Sequence, residues 1–146
     1  MHFPRYYLAR RCNRAATPPA DRAARRILLV EDSDSLRRLA LRTLSAQGYV
    51  VAEARHGEDA LRLVAEAAEA FDLVITERMM SVMSGDELGR CLAKGWPGLP
   101  VLYISAAPGE APVRCGLPPG PPPLLRKPFP PDELVLKVAE LLRPLI

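Results

Sequence analysis

Short unbroken apolar runs alternate along this chain with segments whose apolar residues recur every three or four positions. Ile27–Val30, Leu73–Thr76 and Val101–Ser105 are continuous runs, the pattern of strands buried on both faces. Tyr49–Ala54 is a more polar strand, and Leu124–Arg126 a very short one. Between them, Leu36, Leu39, Ala40, Thr43 and Leu44 make one helical stripe that Ser33 can cap and Gly48 can stop. Ala60, Leu61, Val64, Ala65 and Ala68 predict a second helix. Ser84 opens a third with Leu88 and Leu92 inward, and Gly95-Trp96-Pro97-Gly98 ends it. Pro131 suits the first turn of a last helix that carries Leu134, Val135, Val138, Leu141 and Leu142 on one face.

Residues 106–123 break the alternation, because they hold seven of the chain's 16 prolines. An interior proline costs a helix about 3 kcal/mol. The helix due between the fourth and fifth strands is therefore expected to be short or missing, at most a turn around Ala111–Cys115. Five strands alternating with helices predict an α/β fold, a single doubly wound parallel sheet with right-handed crossovers. At 146 residues there is room for one domain with a real core and none for a second.

Composition changes this picture little. Hydrophobic residues at 49% and charged residues at 25% are ordinary for a globular protein. No apolar stretch approaches the roughly 20 residues that span a bilayer, and Arg5, Arg10 and Arg11 interrupt any secretory core. A cytoplasmic protein with no membrane role is expected. Cys12, Cys91 and Cys115 lie far apart in no metal-type spacing and read as free thiols. Charge is more informative. Residues 1–26 hold seven arginines against one acid, Asp21, for a net +6, while the remainder has 13 basic and 16 acidic side chains, a net −3. Residues 1–25 thus read as a basic, disordered leader or linker ahead of a domain at 26–146. No lipidation signal and no DNA-binding extension accompany it.

The candidate chemistry sits where the strands end. Ligands gather at the carboxyl ends of parallel strands, and there the chain places Glu31 and Asp32, then Glu77, then Lys127. Carboxylates packed so closely repel one another unless a cation lies among them, and oxygen-only donors suit Mg²⁺. Three acids offset by Lys127 alone leave net negative charge, so weak binding of Mg²⁺ or Mn²⁺ is expected. The plainer alternatives are a strand-end turn with a helix cap for Glu31 and Asp32, a loop hydroxyl for Ser105, and a solvated lysine for Lys127. Met79, Met80 and Met83 read as loop packing, Trp96 as the cap of an apolar edge, and His2 and His56 as surface residues.

Leu29-Val30-Glu31-Asp32, Asp72–Glu77, Met80 with Met83-Ser84-Gly85, Ile104-Ser105-Ala106 and Lys127-Pro128-Phe129 occur in order and at matching spacing. Together they make residues from about 26 to 143 resemble the response-regulator receiver domain of bacterial two-component systems. Pro118-Pro119-Gly120 ahead of Leu124–Phe129 is similar to receivers attached to hybrid histidine kinases. The resemblance implies a flavodoxin-like strand order 2-1-3-4-5 and phosphorelay signalling with a histidine kinase or another signalling protein as partner. It implies Glu31, Asp32, the acceptor position and the Met79 carbonyl as Mg²⁺ ligands, and Ser105 and Lys127 as contacts of the phosphoryl group.

Four departures qualify it. Glu77 stands where the family carries its phosphoacceptor aspartate, Ser81 where a proline is usual, Leu124 where an aromatic commonly switches, and Pro130 where Thr or Ser caps the last helix. Glutamate carries its carboxylate about 1.5 Å further out, and an error near 1 Å can cost roughly a hundredfold in rate. Phosphorylation is not expected, and the chain reads as a signalling domain, not an enzyme. Glu77 then either imitates the phosphorylated state beside Lys127 and Ser105, or leaves an inert site on a protein-interaction module. A Mg²⁺-dependent phosphatase or phosphotransferase is disfavoured, because Glu77-Arg78-Met79 lacks the Asp nucleophile and the second Asp two residues on. A nucleotide-binding flavodoxin-like protein is disfavoured by the lack of a Gly-rich phosphate loop.

Overall fold

The computed structural model describes residues 24–106 and 123–142. The elements run β1 (Arg26–Val30), α1 (Asp34–Ala46), β2 (Val50–Ala54), α2 (Gly57–Glu66), β3 (Leu73–Glu77), α3 (Gly85–Gly95), β4 (Val101–Ser105), β5 (Leu124–Arg126) and α4 (Pro131–Leu141). The strands form one five-stranded parallel sheet in the order β2-β1-β3-β4-β5, the flavodoxin-like arrangement. The leader and the proline-rich stretch with its expected short helix fall largely outside the described residues.

Strand alternation sorts the core into two layers. Leu28, Val30 and Val74 face α2 and α3, packing with Leu61, Val64, Leu88, Leu92 and Trp96. Ile27, Leu29, Ile75, Leu102 and Ile104 face α1 and α4, packing with Ala40, Leu44, Leu134 and Val138. Every residue of β3, the central strand, is buried, which is why its sequence reads as an unbroken run. Each fully buried Leu or Ile contributes about 1.5–3 kcal/mol relative to exposure.

Local signals set the boundaries. The Ser33 hydroxyl accepts from the Leu36 N–H to start α1, and Gly48, at φ 92°, takes the left-handed conformation that ends it. Ser84 and Glu87 make a reciprocal capping box at the start of α3. Pro130 precedes α4 with no side-chain cap.

Three expectations need correction. Leu39 is 38% exposed, while Arg37 turns inward with Ala40 and Leu44. Ala68 lies beyond α2, which ends at Glu66, and is exposed. Trp96 does not cap an edge, because it is 4% exposed and packs inside the core against α2 and α3 residues.

Candidate functional site

Parallel pairing brings the carboxyl ends of β1, β3, β4 and β5 to one rim. Glu31 directly follows β1, and Glu77 and Ser105 are the last residues of β3 and β4. Lys127 directly follows β5, where its N–H donates to the Ser105 carbonyl at 2.9 Å. The Lys127–Pro128 peptide bond is cis.

Three predicted site residues meet directly. The Lys127 ammonium lies 2.5 Å from Glu77 Oε2 and 3.3 Å from Glu31 Oε1. The remaining oxygens are held by backbone: the Met79 N–H donates to Glu77 Oε1 at 3.2 Å, and the Ser33 N–H to Glu31 Oε2 at 3.0 Å. Glu31 and Glu77 are 2% and 4% exposed, so each charge depends on these few partners. Ser105 is buried in the neighbouring strand end, Asp32 is exposed, and the Met79 side chain points to solvent.

Charge at this rim follows burial. Loss of water pushes the Glu31 carboxyl above its ordinary range; the Ser33 N–H and Lys127 oppose the rise, and the Asp32 and Glu77 carboxylates add to it. For Lys127, burial acts downward, but the bond to Glu77 and the charge of Glu31 outweigh it and leave the ammonium pKa raised.

The donor set suits Mg²⁺ in kind, being hard oxygen throughout. Glu31 Oε1 and Glu77 Oε2 are also buried without a hydrogen bond of good geometry among the described residues, and their compensation is the ion pair with Lys127. A divalent ion must therefore compete with that ammonium. No group of three or more His, Cys, Asp or Glu side chains among the described residues is gathered closely enough to hold a metal. The residues fit the ion in chemistry, with Lys127 as its rival; a bound Mg²⁺ would neutralise charge on a phosphoryl group.

Two basic residues of the site were missed in the sequence pattern. Arg37 of α1 donates to the Glu31 carbonyl at 2.9 Å, to Asp34 at 2.6 Å and to Glu53 of β2 at 3.1 Å. Arg78, next to Glu77, forms a two-pronged pair with Asp86 of α3 at 3.2 Å on both prongs. Asp86 is thus paired with Arg78, and Asp72 accepts from the Arg26 N–H at the far end of the sheet, so neither carboxylate joins Glu77 at the rim. Gly85 is required here, since a Cβ on it would lie 2.3 Å from the Glu77 carbonyl oxygen. Val82, in the same loop, holds a left-handed φ of 70°, a strained value for a β-branched residue.

A doubly wound parallel sheet with acids and a lysine gathered at its strand ends defines the class, a flavodoxin-like domain. The model of the response regulator receiver domain matches residues 27–139, and the chain belongs to that family. Response regulator MprA of Mycolicibacterium vanbaalenii is 36% identical over 118 residues, 81% of this chain and 50% of that protein. Sensor kinase CckA of Brucella abortus is 35% identical over 116 residues, 80% of this chain and 12% of the kinase. Among solved structures, the receiver domain of hybrid histidine kinase CckA is 34% identical, covers 81% of this chain and 99% of its own, and superposes with a TM-score of 0.67. The chain spans about half the length of the curated response regulators it matches. No helix among the described residues is long and apolar enough to cross a membrane.

Proposed function

We propose that this receiver domain works in two-component signalling without being phosphorylated, as a non-catalytic module recognised by a histidine kinase or another signalling protein in the cytoplasm. The observation that carries this is the 2.5 Å pair between Glu77 and Lys127. A phosphoryl group on an acceptor aspartate would pair with that lysine; here the glutamate carboxylate itself takes the pairing position. Phosphoryl transfer depends on in-line positioning and charge neutralisation, and Glu77 departs from the first while occupying the means of the second. Mg²⁺ binding at Glu31, Asp32, Glu77 and the Met79 carbonyl is weak in this reading.

A second reading has its own support in the same pair. A permanent carboxylate on Lys127 supplies part of the negative charge that a phosphoryl group would bring, so partners meet a constitutively signalling surface. Incubation with a small acyl phosphate and Mg²⁺, followed by intact-mass spectrometry, tests the common ground. No phosphoryl adduct is expected on the wild type. A stoichiometric adduct that disappears in Glu77→Gln overturns both readings.

A further inference from the structure

The sequence places Arg37 on a helix among neighbours of both kinds, yet it is only 8% exposed, and arginine is rarely buried without partners. Its guanidinium spans three segments. One nitrogen reaches the Glu31 carbonyl at 2.9 Å, a second reaches Asp34 at 2.6 Å, and Nε reaches Glu53 on β2 at 3.1 Å. Arg55 also approaches Asp34, at 3.4 Å, and so shares the neutralisation of that carboxylate.

The bond to Glu31 has a consequence at the rim. Glu31 is gripped at both ends, by Arg37 on its carbonyl and by the Ser33 N–H and Lys127 on its carboxylate. Fixing the carbonyl fixes the peptide plane between Glu31 and Asp32, and hence where both acids leave the main chain. A lysine could supply the charge but not the fork that bonds three acceptors in different directions. We propose that Arg37 is a positioning residue of this acidic rim, holding the β1–α1 loop so that Glu31 meets Lys127 and, with Asp32, any divalent cation. The inference rests on reading the rim as a receiver-type site, and it concerns how the rim is held.

Positioning and plain electrostatics predict opposite signs. A cation near an acidic site repels Mn²⁺, so if Arg37 acts only as a charge, Arg37→Gln tightens Mn²⁺ binding and Arg37→Lys leaves it alone. If Arg37 positions the loop, both variants weaken binding by about tenfold, the lower end of what loss of a ligand's supporting partner costs.

The experiment follows Mn²⁺ affinity by calorimetry in the wild type, Arg37→Lys, Arg37→Gln and Glu53→Gln. A second readout needs no metal: hydrogen exchange at the Ser33 amide, which donates to Glu31. Its protection should fall about tenfold in both Arg37 variants relative to core amides of β3, and little in Glu53→Gln, which keeps the Glu31 bond. Normalising to β3 removes any global loss of stability. Ser33 protection unchanged in both Arg37 variants overturns the proposal, as does tighter Mn²⁺ binding in Arg37→Gln. Selective Ser33 deprotection supports it even if the wild type takes up no Mn²⁺, an outcome that removes the metal site alone.

Discussion

On the proposed reading, replacing Glu77 by aspartate should turn this position into a phosphoacceptor, at a modest cost in stability. The substitution deletes one methylene and draws the carboxylate back by about 1.5 Å. The Lys127 contact, 2.5 Å in the wild type, then opens to about 4 Å if the lysine stays put. At an effective dielectric constant of about 20, the attraction falls from roughly 7 to roughly 4 kcal/mol. Lys127 is 22% exposed, so solvent screening reduces the loss to about 1–2 kcal/mol, between the values of surface and buried pairs. The same retreat opens space in front of Lys127 for a phosphoryl group. Two assays are needed: urea unfolding for the stability change, and intact mass after exposure to an acyl phosphate with Mg²⁺ for acceptance. Glu77→Asp should gain one phosphoryl adduct where the wild type gains none. If Glu77→Asp folds, binds Mn²⁺ and still stays unlabelled, the missing aspartate is not what disables the site.

Other outcomes follow from the same geometry. Asp32→Asn should abolish the weak Mg²⁺ or Mn²⁺ binding heat expected of the wild type in calorimetry, and equal heats from both proteins would remove Asp32 from the site. The Lys127 ammonium pKa is raised, so its contribution to stability is complete below the ordinary lysine value of about 10.4 and is lost as pH rises through the higher folded value. Above the range in which the Glu31 carboxyl titrates, unfolding free energy of the wild type minus that of Lys127→Met should thus stay flat to about pH 10 and decline above it; a decline well below pH 10 in that alkaline range contradicts the pairing. Tyr103 is 1% exposed and its hydroxyl has no hydrogen-bond partner among the described residues. Tyr103→Phe should therefore stabilise the domain by about 1 kcal/mol in urea unfolding, and a loss of that size would reveal a partner. If the site is uncoupled from the surface that partners read, Glu77→Gln should change the affinity of a kinase or output partner by less than tenfold, about 1.4 kcal/mol. A larger change favours the charge-mimic reading.

The strands were legible because burial on both faces forces a continuous apolar run, and β3, buried at every position, is the clearest case. The inward face of α1 was harder. Positions 36, 39, 40, 43 and 44 and positions 37, 40, 41 and 44 both match a helical period, and they differ by a small rotation about the axis. Hydrophobicity favours the first set, since it charges Arg37 the full cost of burial. The structure realises the second, because Asp34, Glu53 and the Glu31 carbonyl satisfy the guanidinium. Two of those acceptors come from outside the helix, so no periodicity within α1 could reveal them. Trp96 differs for a related reason: it follows α3 in a Gly- and Pro-rich break that resembles a surface turn, yet it is buried in the core layer that α2 and α3 share.

The site divides along the same line. Which residues share the rim follows from topology, since parallel strands put their carboxyl ends together whatever the side chains do. How those residues use one another depends on lengths of single bonds. A glutamate at position 77 could have turned to solvent, to a cation or to Lys127, and the pattern of residues is the same in all three cases. Burial limits the choice: at 4% exposure the carboxylate cannot rely on water, and the Met79 N–H satisfies one oxygen only. The second oxygen needs a cation, and the one the chain itself provides is Lys127, held by its N–H to the Ser105 carbonyl at the end of the adjoining strand. The length of the glutamate side chain thus bears on both questions, whether position 77 can accept a phosphoryl group and how closely its carboxylate meets Lys127, 2.5 Å away.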